Sequence, residues 1–135
     1  GIITGNARET LIQKKRYGLT TQIAADVHVK HASPLAGDDL IQSAKDTFIR
    51  GHADALILTG SGTGQPTSTK DLICISQHIP QAPIWIGSGL TPDNLNTYRG
   101  LFHTAIVGTW LHEDSAIQKP ISLKRVELMR QALNE

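Results

Sequence analysis

Residues 83–94, Pro-Ile-Trp-Ile-Gly-Ser-Gly-Leu-Thr-Pro-Asp-Asn, limit the possible folds of this chain more than any other stretch. A short apolar run passes straight into Gly87-Ser88-Gly89 and then into Thr91-Pro92, which reads as an N-cap followed by proline at the first helical position. The segment is a strand, a glycine turn and a helix start. Amides at such a turn lack intrahelical partners and the helix dipole favours negative charge beside them, so phosphate is the natural guest. The same glycines also serve a plain tight turn. A second strand with the same ending, Ala105-Ile106-Val107-Gly108-Thr109, follows at a short interval and favours the anion reading.

The rest of the chain repeats this unit. Asn6 with Glu9 three residues later predicts a capping box that opens a helix running to about Tyr17, with Gly18 as its stop. In residues 21–31, Ile23, Ala25, Val27 and Val29 alternate with Ala24, Asp26, His28 and Lys30, the period of a strand with two unlike faces. Ionised groups in line on one face must be paired, hydrated or part of a site. Asp38 and Asp39 favour a helix N-terminus, and Leu40, Ala44, Thr47 and Phe48 recur at helical spacing until Gly51. Residues 53–58 read as a buried strand ending in the loop Thr59-Gly60-Ser61-Gly62-Thr63-Gly64. Ser68, Leu72, Ile75 and Ile79 outline the next helix, and a brief one runs from Pro92 to about Arg99. Residues 103–108 are a fourth strand, 110–120 a loop, and 122–134 a last helix with Val126, Met129 and Leu133 on one face.

Strand and helix alternate four times, the signature of parallel βα units with right-handed crossovers. An open doubly wound sheet binds ligand at a switch point, whereas a (β/α)8 barrel binds it at the carboxyl ends of its strands, with phosphate after strands seven and eight. Every strand here turns polar or glycine-rich at its C-terminal end. A full barrel typically needs about 250 residues, so the 135 residues present make half of one. Such a half cannot close its own sheet edges and calls for a second half, from another chain or a second copy.

Charge and composition narrow the partners. Thirteen basic and twelve acidic side chains give a formal net charge of +1, which leaves no footprint for nucleic acid. The single cysteine, Cys74, sits in an apolar helical pattern and reads as a core thiol in a reducing compartment. No apolar run approaches the roughly 20 residues that span a bilayer, so a soluble, cytoplasmic protein is expected. The start at Gly1-Ile2-Ile3, without methionine, suggests a fragment or a processed product. His52, His78 and His103 share no spacing and read as surface or helix-end residues. Asp26, His28 and His31 have metal-ligand chemistry, yet alternation sends His31 to the opposite face, so neither a metal nor another cofactor is expected.

Four motifs together, Asp26-Val27-His28-Val29-Lys30-His31-Ala32, Ala53-Asp54-Ala55 leading to the glycine loop at residues 59–64, Gly87-Ser88-Gly89 with Thr91-Pro92 and Asn94, and Ile106-Val107-Gly108-Thr109, resemble the BtpA/SgcQ family. The resemblance runs in order over nearly the whole chain and implies that residues 1–135 are the carboxyl-terminal half of a TIM barrel, strands five to eight. BtpA-like proteins are associated with photosystem I biogenesis at the periphery of the thylakoid membrane, and SgcQ-like members occur beside sugar-uptake genes without a settled reaction. The last two loops also look like those of ribulose-phosphate-binding barrels. On a phosphate-binding reading, a phosphorylated small molecule, or inorganic phosphate, would be held through backbone N–H groups and hydroxyls by Gly87, Ser88, Gly89, Asn94, Gly108 and Thr109, with Thr59, Gly60, Thr63 and Gly64 lining the pocket. Lys30 would then be a Schiff-base amine or an electrostatic clamp, and Asp26 or His28 its acid/base partner. The alternative role is a non-enzymatic assembly factor for a membrane complex. Where the family continues after Gly-Thr with a lysine and then a glycine, this chain has His112 and Ser115, which removes the expected cation from that loop.

Overall fold

The computed structural model describes residues 2–134 apart from Ala36, Asp38, Ser61 and Thr63. Four strands, β1 (Ala24–Asp26), β2 (Ala55–Leu58), β3 (Ile84–Ile86) and β4 (Thr104–Ala105), form one parallel sheet in the order β1-β2-β3-β4. Between and around them run α1 (Ala7–Arg16), α2 (Leu40–Lys45), α3 (Thr69–His78), α4 (Leu95–Tyr98) and α5 (Leu123–Asn134). Asp26, Ile57, Trp85 and Thr104 lie in register across the sheet, with Ala25, Leu56 and Ile84 in the row before them.

The side-chain alternation decides the architecture. Leu56, Leu58, Ile84 and Ile86 point to one face and are at most 4% exposed, packed with Ala44 of α2, Leu72 and Ile75 of α3, and Leu95 and Tyr98 of α4. Full burial of one such aliphatic side chain contributes about 1.5–3 kcal/mol, so this layer carries the core. On the other face Ile57 and Trp85 are half-buried, Asp26 is exposed and Ile106 is 46% exposed. A doubly wound sheet is covered by helices on both faces and reverses its strand order at a switch point. This sheet has helices on one face and a strictly sequential order, which is half of a (β/α)8 barrel seen from its interior.

Local chemistry explains most boundaries. Asp39 caps α2, its Oδ1 accepting from Gln42 N at 2.9 Å, while Asp38 lies outside the described residues. The helix then widens into a π segment, Asp46–Arg50, and ends at Gly51, whose amide donates to Asp46 O. Ser68 caps α3 by accepting from Asp71 N. Thr91 and Asn94 close the turn that leads into α4 by a reciprocal pair: Thr91 N donates to Asn94 Oδ1 at 2.8 Å and Asn94 N to Thr91 Oγ1 at 3.3 Å. Proline at position 92 starts that turn without needing a donor.

Several expectations are corrected. Asn6 makes no side-chain cap, and Thr10 Oγ1 donates to the Asn6 carbonyl instead, so no capping box opens α1. Gly18 does stop that helix, at φ +60°, with its amide on Lys15 O and that of Leu19 on Lys14 O. The expected strand at 21–31 is regular only over Ala24–Asp26, because the chain turns toward α2 after Asp26. Cys74 is half-buried rather than a core thiol, its Sγ 3.9 Å from His78 Nδ1 one helical turn on. On α5 only Met129 is buried, whereas Val126 and Leu133 are 37% and 50% exposed.

Candidate functional site

Parallel strands place all their carboxyl ends on one rim, so the segments after β1, β2, β3 and β4 meet there. Two adjoining cavities open on that rim. One, of about 270 Å3, is walled by Gly87, Ser88, Gly89 and Thr91 after β3 and by Gly108, Thr109 and Trp110 after β4, with Lys30 and Gly64 at its margin. The other, of about 280 Å3, lies between Asp26, Lys30, Ile57, Thr59, Gly87 and Ile106. Lys30, Gly87 and Ile106 belong to both.

The loop after β3 is held from behind by a knot of buried hydroxyls. Ser88 is 7% exposed; its Oγ accepts from Gly60 N at 3.0 Å and donates to Gln65 O at 3.1 Å. Thr67 Oγ1 lies 3.3 Å from both Leu58 O and Ser88 O, and the Tyr98 hydroxyl donates to Thr67 O at 2.8 Å. Burial pushes the Tyr98 hydroxyl's pKa upward, keeping it a donor. Gly89 has φ +74°, and a Cβ there would stand 2.4 Å from Pro66 Cα and from Gln65 O. A Cβ on Gly60 would stand 2.3 Å from Gln65 O. These glycines are required because the backbone of Gln65 and Pro66 passes directly against both Gly60 and the β3 turn at Gly89.

In the loop after β4, a short 3-10 turn, Thr109–Leu111, has its bonds running from Leu111 N to Gly108 O and from His112 N to Thr109 O. The amides of Thr109 and Trp110 precede the first of these bonds, and both residues line the first cavity. A Cβ on Gly108 would meet open space.

The sequence-derived site residues separate into groups. Gly87, Gly89, Gly108 and Thr109 converge on the first cavity, and Gly64 joins them. Ser88 lines it too, but its hydroxyl is committed to Gly60 and Gln65, which leaves only its main chain for a ligand. Asn94 is corrected from ligand to brace: Nδ2 donates to Gly89 O at 2.8 Å and Oδ1 accepts from Thr91 N. Thr59 lines the second cavity and donates to His28 O, whereas Gly60 is buried in the knot. Thr63 lies outside the described residues. Asp26 and Lys30 share the second cavity, but His28 does not join them, because its Nε2 sits 3.0 Å from Ser43 Oγ on α2. The break in alternation after Asp26 is the cause. Trp110, Leu90, Val107, Ile106 and Ser115 also line the first cavity, and none was singled out from the sequence as a site residue. Among the described residues no group of three His, Cys, Asp or Glu is placed to hold a metal ion.

Lys30 Nζ donates to Gly87 O at 3.4 Å, a long bond that leaves the ammonium at the junction of the cavities. Although Asp26 is exposed overall, partial desolvation raises its pKa from the ordinary value, and the Lys30 charge only partly pulls it back. A folded-state pKa above the unfolded one means that ionising Asp26 works against folding. The penalty is absent below the ordinary carboxyl pKa and complete once the pH has passed the folded value. Asp26→Asn should therefore melt with the wild type at about pH 3 and above it at about pH 7. A gap that does not change with pH would refute this electrostatic account.

The BtpA family model matches residues 1–135. An uncharacterized protein of Pyrococcus furiosus is 40% identical over 129 residues, covering 96% of this chain and 48% of that protein. The photosystem I biogenesis protein BtpA of Synechocystis sp. is 36% identical over 135 residues, covering 100% of this chain and 47% of its own length. The chain thus spans about half the length of these curated relatives. Among solved structures, phosphoribosyl anthranilate isomerase from Thermococcus kodakaraensis superposes with a TM-score of 0.57 at 17% identity, covering 96% of this chain and 59% of that one. The native KDPGal structure gives 0.54 at 14% identity, covering 98% and 58%. At these identities the structural likeness speaks for the barrel fold alone.

Proposed function

Because this chain belongs to the BtpA family, we propose that it supplies the phosphate-gripping half of a (β/α)8 barrel that takes a phosphorylated small molecule, such as a sugar phosphate. One observation carries the reading: two glycine turns on neighbouring strand ends, residues 87–89 and 108–109, open onto a single cavity with the Lys30 ammonium at its edge. Main-chain amides ahead of a helical turn and a nearby cation are what an oxyanion needs. Gly89, Gly108 and Thr109 hold the phosphate, Gly87, whose amide donates to Leu58 O, forms the wall beside them, and Lys30 is an electrostatic clamp. The body of the molecule extends into the cavity that Asp26 and Lys30 share, and chemistry on it would draw on these two groups. A second half-barrel, from another chain or a second copy, covers the bare sheet face and the β1 and β4 edges.

The Synechocystis relative named for photosystem I biogenesis supports a second reading, in which the barrel is a non-enzymatic platform for assembling a membrane complex. Among the described residues no helix is long and apolar enough to cross a membrane, so in that reading the chain would work from the membrane's periphery.

Phosphate-dependent melting separates the two. On the first reading, phosphate at 100 times its Kd raises stability by about 2.7 kcal/mol, and Lys30→Ala weakens binding roughly tenfold or more, as expected for loss of one charged contact. A wild type whose melting temperature ignores phosphate, but which binds a membrane-protein complex, would turn the reading to the platform.

A further inference from the structure

We propose that Ser115 is a phosphate-contacting hydroxyl of this cavity and that Arg125, from the first turn of α5, is the positioning residue that aims it. The proposal rests on the phosphate reading above. Arg125 Nη1 donates to Trp110 O at 2.7 Å and to Ser115 Oγ at 2.8 Å, and the guanidinium carbon lies 5.2 Å from the centre of the Trp110 ring. Trp110 and Ser115 both line the cavity beside Gly108 and Thr109. One side chain therefore ties two points of the cavity wall to a helix that is itself outside it.

The direction of that bond matters. A serine hydroxyl has one hydrogen and two lone pairs. With a lone pair of Ser115 taken by a cationic donor, the hydroxyl keeps its hydrogen for another acceptor, and polarisation by the guanidinium strengthens it as a donor. An anion in the cavity is the acceptor that this arrangement suits. Ser115 sits in a tight turn, where Asp114 and Ser115 both have positive φ, 52° and 53°, and Ser115 N donates to His112 O. The neighbouring carboxylate does not oppose an anion unaided, because Asp114 Oδ2 is paired with Lys119 Nζ.

The test is a phosphate titration of the wild type, Ser115→Ala, Arg125→Gln, Arg125→Lys and the Ser115→Ala/Arg125→Gln double variant. It is followed by melting temperature and by Trp110 emission in a Trp85→Phe background. Ser115→Ala and Arg125→Gln should each weaken phosphate binding roughly tenfold, and the double variant no further than either alone, because Arg125 acts through the hydroxyl. Arg125→Lys should recover much of the loss. Ser115→Ala removes an exposed hydroxyl and tests the contact even if Arg125→Gln loosens the loop. Wild-type affinity in Ser115→Ala overturns the proposal while leaving the phosphate reading intact, and so do losses that multiply in the double variant. A wild type without phosphate affinity overturns both.

Discussion

Gly89→Ala should destabilise the chain by more than about 2 kcal/mol and abolish any rise in melting temperature on adding phosphate. Two independent penalties meet at this position. The residue sits at φ +74°, where an L side chain is strained, and its Cβ would stand 2.4 Å from Pro66 Cα and from Gln65 O. Neither obstacle is the flexible end of a side chain; both are backbone, held in place by Ser88 and Thr67. Relief must come from moving the 65–67 segment or the β3 turn, and either movement opens the cavity wall. Gly108→Ala is the control, since a Cβ there meets open space and φ is already −126°. It should melt close to the wild type. Equal melting of Gly89→Ala and Gly108→Ala would show that the close approach of the two loops is wrong.

Leu56→Ala should cost about 2–5 kcal/mol, whereas Ile57→Ala, its neighbour on the same strand, should cost the half-barrel clearly less. Leu56 is fully buried against α2 and α3 side chains, so truncation leaves a cavity that the surrounding core fills only partly. Ile57 points to the sheet face that no helix covers and is half-buried. Denaturant melts of the two variants measure the difference. The comparison also reports on closure. If four further strands pack on the inner face, Ile57 becomes core and the two costs converge; in the chain taken singly they stay apart.

How much of this was legible before any coordinates follows from the range of the forces involved. The strand-turn-helix unit at residues 84–95 was readable because each signal is local. An apolar run, glycines and a Thr-x-x-Asn cap act within a few residues of one another. The same holds for Gly18 after α1 and Ser68 before α3. The extent of β1 was not readable. Alternation from Ile23 to Lys30 persists in the sequence, but the backbone leaves the sheet after Asp26, and His28 meets Ser43. That choice depends on α2, which lies more than ten residues along the chain. Cys74 was misread for a related reason: an apolar helical pattern says that one face is buried, not how far the margin of that face extends.

The candidate site divides in the same way. That Gly87, Gly89, Gly108 and Thr109 meet at one cavity was legible because glycine at a strand end is itself a local signal for a turn on the rim. Ser88 and Asn94 were given to the ligand because their side chains can bind phosphate, and the structure uses those groups to join loops. Trp110 and Arg125 went unnoticed because an indole and a guanidinium fifteen residues apart carry no joint signal until a helix brings them together.

Periodicity and turn chemistry, which act between near neighbours, were enough to establish alternating βα units, a common rim for the strand tips and glycine turns at two of them. Which face of the sheet is bare, and which polar groups look into the cavity rather than into the knot behind it, came from contacts between residues distant in the chain. Those contacts depend on how the helices settle against the sheet, and no short stretch of sequence encodes that.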